Sequence, residues 1–146
     1  MIALRPIFLF VWLALVSACA LSLIKHNQHI AAKTGEEFAK FALVERNFDE
    51  ALKYAASAND SNPADRLKSL VESMHPSRKY PTRVIAVSYE PIPGTKSMKI
   101  YLEGSGDDRS YHYLAIMAGT EPDGYKVAGI YRSEEPFPGS DLIKPL

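Results

Sequence analysis

The chain reads as an α+β domain behind an N-terminal membrane segment, and three observations predict this. Apolar residues recur at near-helical spacing from about Gln28 to Met74, and beyond Tyr80 the period falls to two. An unbroken apolar run from Ile7 to Ile24 precedes both. The expected order is an anchor or signal segment over 1–24, then an α+β domain over 25–132 with three helices and a four-stranded antiparallel meander, then an irregular proline-bearing tail over 133–146.

Each helix has a start or stop signal. From about Gln28 to Arg46, Ile30, Phe38, Phe41, Ala42 and Val44 recur among Lys33, Glu36, Glu37, Lys40 and Glu45, which predicts an amphipathic helix. Gly35 inside it costs about 1 kcal/mol relative to alanine, so a bend there or a start near Thr34 fits the pattern. Asn47 offers a capping oxygen with Glu50 as reciprocal partner, and Phe48, Ala51, Leu52 and Ala55 follow in a second, shorter helix. After a polar connector, Asn62 is the expected cap of a third helix and Pro63 its first residue, where the missing N–H is harmless. Leu67, Leu70, Val71 and Met74 share one face of it, and Pro76 ends it.

Four strands are expected at Thr82 to Tyr89, Ser97 to Glu103, Ser110 to Ala118 and Tyr125 to Arg132, all rich in β-branched and aromatic residues. Pro91-Ile92-Pro93-Gly94 suits a tight reversal, Gly104-Ser105-Gly106-Asp107-Asp108 a loop, and Glu121-Pro122-Asp123-Gly124 a hairpin turn. Connections this short make successive strands antiparallel neighbours, because a parallel crossover needs about a dozen residues or more.

The apolar run bears on location. Arg5 is its only flanking charge on the N-terminal side, and it contains the single cysteine of the chain, Cys19. Val16-Ser17-Ala18-Cys19 resembles a bacterial lipobox, which implies a diacylglycerol on the Cys19 thiol and cleavage before that residue. The following Ala20-Leu21-Ser22-Leu23-Ile24 departs from the polar tether such proteins usually have. A second reading is an uncleaved transmembrane helix, since about 18 residues just span a hydrocarbon core of about 30 Å. A third is an ordinary cleaved signal peptide that releases the domain. Trp12 falls mid-run, and Lys25 and Lys33 balance Arg5, so neither fixes an orientation.

Charge and cysteine content narrow the chemistry. The chain has 17 basic and 17 acidic residues, so nothing favours nucleic acid as a partner. With Cys19 in the anchor, the domain has neither a disulfide nor a thiolate nucleophile. No cofactor is expected.

Three helices followed by a meander ending in Gly124-Tyr125-Lys126-Val127-Ala128-Gly129-Ile130-Tyr131-Arg132, with Phe38 to Ala51 as an opening helix, polar turn and aromatic-led second helix, resemble the nuclear-transport-factor-2-like superfamily. The resemblance covers about residues 30–132 and implies a curved, cone-like sheet that encloses an apolar pocket. It also implies functions as varied as isomerases, dehydratases and transport or assembly modules, so fold does not select among them. The enzymes of this family use a buried acid with an oxyanion donor, often tyrosine. Here Asp107, Asp108 and Asp123 fall in turns and Glu103 at a strand end, so no catalytic residue carries over.

The residues that suit a pocket or interface are Tyr101, Tyr111, His112 and Tyr113, within a wider set that includes Tyr89, Tyr125 and Tyr131. Alternation puts His112 on one face of its strand and Tyr111 and Tyr113 on the other. His26 and His29 share helical spacing but make no complete metal site. The Gly104 to Asp108 loop lacks the continuation of a phosphate or calcium loop. Arg78, Lys79 and Arg83 would suit anionic headgroups if they faced a membrane.

The expected function is a membrane-tethered, non-enzymatic binding or assembly module on the extracytoplasmic face of the bacterial envelope. Its partner would be an envelope protein or a small apolar ligand. The alternative is an isomerase- or dehydratase-like enzyme with a pocket lined by tyrosine and histidine.

Overall fold

In the computed structural model, residues 24–57, 59–107 and 109–138 are described. The apolar run up to Leu23, with Cys19, and the tail from Gly139 lie outside them. Among the described residues no helix is long and apolar enough to cross a membrane.

Helix α1 spans Gln28–Ala39 and runs on through a π-helical turn, Lys40–Val44. It starts at Gln28 and not near Thr34, because the Asn27 side chain accepts from the His29 and Ile30 N–H groups at 3.1 and 3.2 Å. Gly35 therefore sits inside the helix. The buried side consists of Ala31, Ala32, Gly35, Phe38 and Ala39. Ile30, expected among the apolar positions of this helix, is 43% exposed. Small residues let the helix axis lie close to the sheet, and α1 touches all four strands.

Helix α2, Phe48–Leu52, begins where Asn47 accepts from the Glu50 N–H at 3.3 Å. Glu50 does not return the bond to Asn47. Its carboxylate pairs with Lys53 at 2.7 Å. Helix α3, Pro63–Met74, has no side-chain cap. The Asn62 amide instead donates to Asp65 Oδ2 at 2.7 Å. Leu67 and Val71 are buried, whereas Leu70 is 41% exposed.

The sheet has the order β1-β2-β3-β4, with every pair antiparallel. Its strands are β1 Arg83–Pro91, β2 Ser97–Ser105, β3 Ser110–Thr120 and β4 Gly124–Ser133. Each outruns its sequence-based end at one or both limits because the ladder continues into the turn residues, as in the pairing of Thr120 with Gly124. Each edge strand is bonded at one point to an element outside the sheet. Glu36 Oε1 accepts from the Ala86 N–H of β1 at 2.7 Å, beside a bulge between Ala86 and Ser88. On β4, Val127 exchanges backbone bonds of 2.8 Å with Tyr54 and Ala56.

The core lies between the helices and one sheet face, with Leu43, Val71, Met98, Ile100, Tyr113, Ala115 and Met117 all at 0% exposure. Burying a side chain of the larger kinds here contributes about 1.5–3 kcal/mol. The β3–β4 hairpin depends on Gly119, whose φ is 133° and whose Cβ, were one present, would overlap the Gly124 carbonyl oxygen.

Two glycines should therefore respond oppositely to alanine. A Cβ on Gly35 would lie 3.7 Å from both Ile100 Cγ2 and Met117 Sδ, an ordinary contact. Gly35→Ala is expected to stabilise by about 0.5–1 kcal/mol through helix propensity. Gly119→Ala is expected to destabilise by about 1–3 kcal/mol. Urea unfolding midpoints read both, and reversal of either sign contradicts the packing described.

Candidate functional site

The four residues singled out from sequence divide between the two faces of the sheet. Tyr111 and Tyr113 point inward, 2% and 0% exposed, with near-parallel rings 6.3 Å apart. His112 lies between them on the outer face, half-buried, in register with Glu103 and Ser133. Tyr101 is also outward but only 5% exposed, because the Phe137 ring of the tail lies 6.2 Å from its own. Its hydroxyl donates to Glu90 at 3.2 Å. Burial, and then the Glu90 carboxylate, push its phenol above the usual range. These residues do not line one pocket.

The inward tyrosines meet a residue that sequence periodicity passed over. A helix leaves its last carbonyls without internal partners. Beyond α3 the backbone leaves helical geometry at His75, and the ring folds back so that Nδ1 lies 2.7 Å from the Val71 carbonyl. A carbonyl only accepts, so Nδ1 carries the proton. In the neutral ring Nε2 then accepts from the Tyr113 hydroxyl at 2.8 Å. His75 is 0% exposed. That burial pushes its imidazole below the usual range, against the Val71 bond and together with the nearby charges of Arg132 and Arg46. Burial likewise pushes the Tyr113 phenol well above the usual range.

Arg132 closes the same helix end. It shares inward parity with Ile130 on β4, donates from Nη1 to the Met74 carbonyl at 2.6 Å, pairs with Glu134 at 3.0 Å and lies 5.0 Å from the Tyr111 ring centroid. A cation at a helix C-terminus opposes the negative end of the helix dipole.

Outside this joint the chain forms an open groove. The Tyr80 and His75 ring centroids lie 4.8 Å apart, and the Arg46 guanidinium sits 4.4 Å from the Tyr80 centroid. Arg46 also pairs with Glu72 at 3.3 Å. One cavity of about 370 Å³ is lined by Arg46, Glu72, His75, Pro76, Arg78 and Tyr80. A second, of about 400 Å³, is lined by Lys79, Tyr80, Asp107 and Tyr111, so Tyr80 is common to both.

Backbone strain concentrates here. Among the described residues two non-glycines have left-handed backbone, Arg46 at φ 54° and Arg78 at φ 57°, and both line the first cavity. Such conformations cost about 1–3 kcal/mol each and are enriched at functional sites. Arg46 acquires its φ where the π-helical turn ends and the Asn47 N–H closes back on the Phe41 carbonyl at 2.7 Å.

The other sequence candidates lie elsewhere. His26 contacts the Tyr125 hydroxyl at 3.2 Å and the Thr95 carbonyl at 3.3 Å, and His29 is exposed. Among the described residues no group of three His, Cys, Asp or Glu is placed to hold a metal. Sequence reasoning missed His75, Arg46 and Arg132. The available signals were an imidazole between a helix end and Pro76, and an arginine at an inward strand position. The chain matches no protein-family model, and it matches none of the curated proteins or solved structures.

Two outcomes test the joint. Tyr113→Phe leaves His75 Nε2 buried without a donor and is expected to cost about 1–3 kcal/mol of stability. Because the folded imidazole pKa lies below that of the unfolded chain, about 6.5, the unfolded state takes up a proton first as pH falls. His75 thus contributes stability that is complete above about pH 6.5 and is lost on acidification toward its lower folded value. Between pH 7.5 and 5.5, urea unfolding should show a greater loss for wild type than for His75→Gln. An equal or smaller loss contradicts the assignment.

Proposed function

We propose that this protein is a membrane-tethered, non-enzymatic binding module on the extracytoplasmic face of the bacterial envelope, with the groove around Tyr80 as its binding surface. The observation that carries the reading is the state of His75. It is the buried imidazole beside the groove, and both of its nitrogens are committed, to Val71 and Tyr113. General acid–base catalysis needs a group within hydrogen-bond reach of the substrate, and His75 and Tyr113 are both at 0% exposure. An isomerase-like site would need a tyrosine hydroxyl free to meet a substrate oxygen, whereas the Tyr113 hydroxyl is spent on His75.

The groove suits recognition. Arg46 and Arg78 are held on left-handed backbone at its wall, and Tyr80 supplies a flat apolar face between the two cavities. Arginine and aromatic side chains recur at protein interfaces because each combines large contact area with directional polar groups. A carboxylate-bearing segment of an envelope protein is the partner chemistry this wall fits. The apolar run supplies the tether, through Cys19 or as a spanning helix, and we carry the nuclear-transport-factor-2-like resemblance as part of this reading.

Intact mass of the protein extracted from membranes tests the tether. Either a diacylated chain beginning at Cys19, lost in Cys19→Ala, or an unprocessed chain retaining Met1 is expected. A soluble chain cleaved beyond the run contradicts the reading. For the groove, Arg78→Gln is expected to weaken binding of a poly-glutamate peptide about tenfold, the scale of one charge-assisted hydrogen bond. Unchanged binding contradicts the assignment.

A further inference from the structure

We propose that the end of the sheet bearing the β1–β2 and β3–β4 turns is the face that rests against a lipid bilayer, so that the Tyr80 groove opens away from the membrane. This rests on the tethered reading above. The chain enters the domain already fastened to that end. The Lys25 carbonyl accepts from the Glu121 N–H at 2.9 Å, in the β3–β4 turn. His26 lies within hydrogen-bond reach of the Thr95 carbonyl, in the β1–β2 turn, at 3.3 Å, and of the Tyr125 hydroxyl at 3.2 Å. The Asn27 N–H donates to that same hydroxyl at 2.7 Å. Three consecutive residues are thus held at one end of the sheet before α1 begins.

The apolar run stops at Ile24, immediately before this fastened segment. In a spanning helix there is almost no slack between bilayer and domain. With a lipid on Cys19, the chain to Lys25 reaches at most about 20 Å when fully extended. Either way the end bearing the β1–β2 and β3–β4 turns, where the chain is fastened, is held within about 20 Å of the membrane.

The strands then set the distance to the other end. β2 spans nine residues and β3 eleven, so at about 3.3 Å per residue the far end of the sheet lies about 30 Å further out. Arg83, the first residue of β1, pairs with Ser105 at that far end, and the Thr82 N–H donates to the Ser105 carbonyl there at 2.8 Å. Arg78, Lys79 and Arg83, which would suit headgroups by composition alone, are held away from them.

The near end has mixed chemistry. Pro91, Pro93 and Lys96 are exposed, while Lys25 and Lys96 are offset by exposed Glu121 and Asp123. The tether and the fastened segment therefore set the orientation, with little contribution from charge. The contact should persist in anionic and neutral vesicles alike.

Energy transfer from single labelled sites to the bilayer tests this. The full chain is reconstituted in phosphatidylcholine vesicles, with and without phosphatidylglycerol, that contain a rhodamine-labelled lipid acceptor. Fluorophores are placed at Lys96→Cys and Pro122→Cys near the proposed face, and at Ser77→Cys and Asp107→Cys at the far end. The chain with Cys19 alone gives the background. All four positions are exposed, so the fold should tolerate them. Transfer at the two near sites is expected to exceed that at the two far sites about twofold or more, given an offset of about 30 Å. Equal transfer at both ends, or the reverse order, overturns the orientation while leaving the tether intact. A chain that does not co-float with the vesicles overturns the tethered reading and this proposal together.

Discussion

The fold turns on one buried polar joint, in which His75 takes the Tyr113 hydroxyl on one nitrogen and gives the other to the Val71 carbonyl. A buried imidazole left half-satisfied costs about 1–3 kcal/mol, a large share of the stability of a small domain. Satisfied, it fixes three things together: the end of α3, the inward tyrosine of the central strand β3, and the course of the chain toward β1. Helix α3 has only Leu67 and Val71 as buried apolar anchors, so this bond and the Arg132 bond to Met74 define where its C-terminal end sits. The groove inherits its shape from that placement. Tyr80 lies against the His75 ring, and Arg46 lies against Tyr80.

The sheet then separates two roles along its length. At one end the entering chain is bonded to both hairpin turns, and at the other the helices and connector build the cationic, aromatic groove. Glycine at 119 permits the first end, where the backbones of Gly119 and Gly124 nearly touch, and the Gly119 N–H also donates to Lys96 across the two hairpins at 2.9 Å. Left-handed arginines mark the second. Left-handed backbone at Arg46 and Arg78 costs about 1–3 kcal/mol each, and both residues line the groove.

Much of the fold was legible because its signals are local. Alternating apolar residues located the four strands, and short turn-forming separators dictated antiparallel order, since both depend only on near neighbours in sequence. Asn47 caps α2 as its position suggested, but Asn62 bonds Asp65 instead, because a side chain that can cap can also bond a nearby carboxylate. The buried face of α1 was harder to read. Ala31, Ala32 and Gly35 carry little hydrophobic signal, yet close packing against the sheet favours them over Ile30. The site was mostly illegible. His75 meets Tyr113 across 38 positions of sequence and Arg132 meets Met74 across 58, and no periodicity encodes a contact of that range. Parity correctly separated His112 from Tyr111 and Tyr113, but whether either face was covered depended on α3 and on Phe137 of the tail.

The protonation state of His75 is the most direct measure of the joint. Nitrogen-resolved NMR of the imidazole across a pH series should show a neutral ring with the proton on Nδ1, persisting below about pH 6.5, where an unperturbed imidazole is half protonated. A ring protonated on Nε2, or one that titrates at or above that pH in the folded protein, would contradict the account.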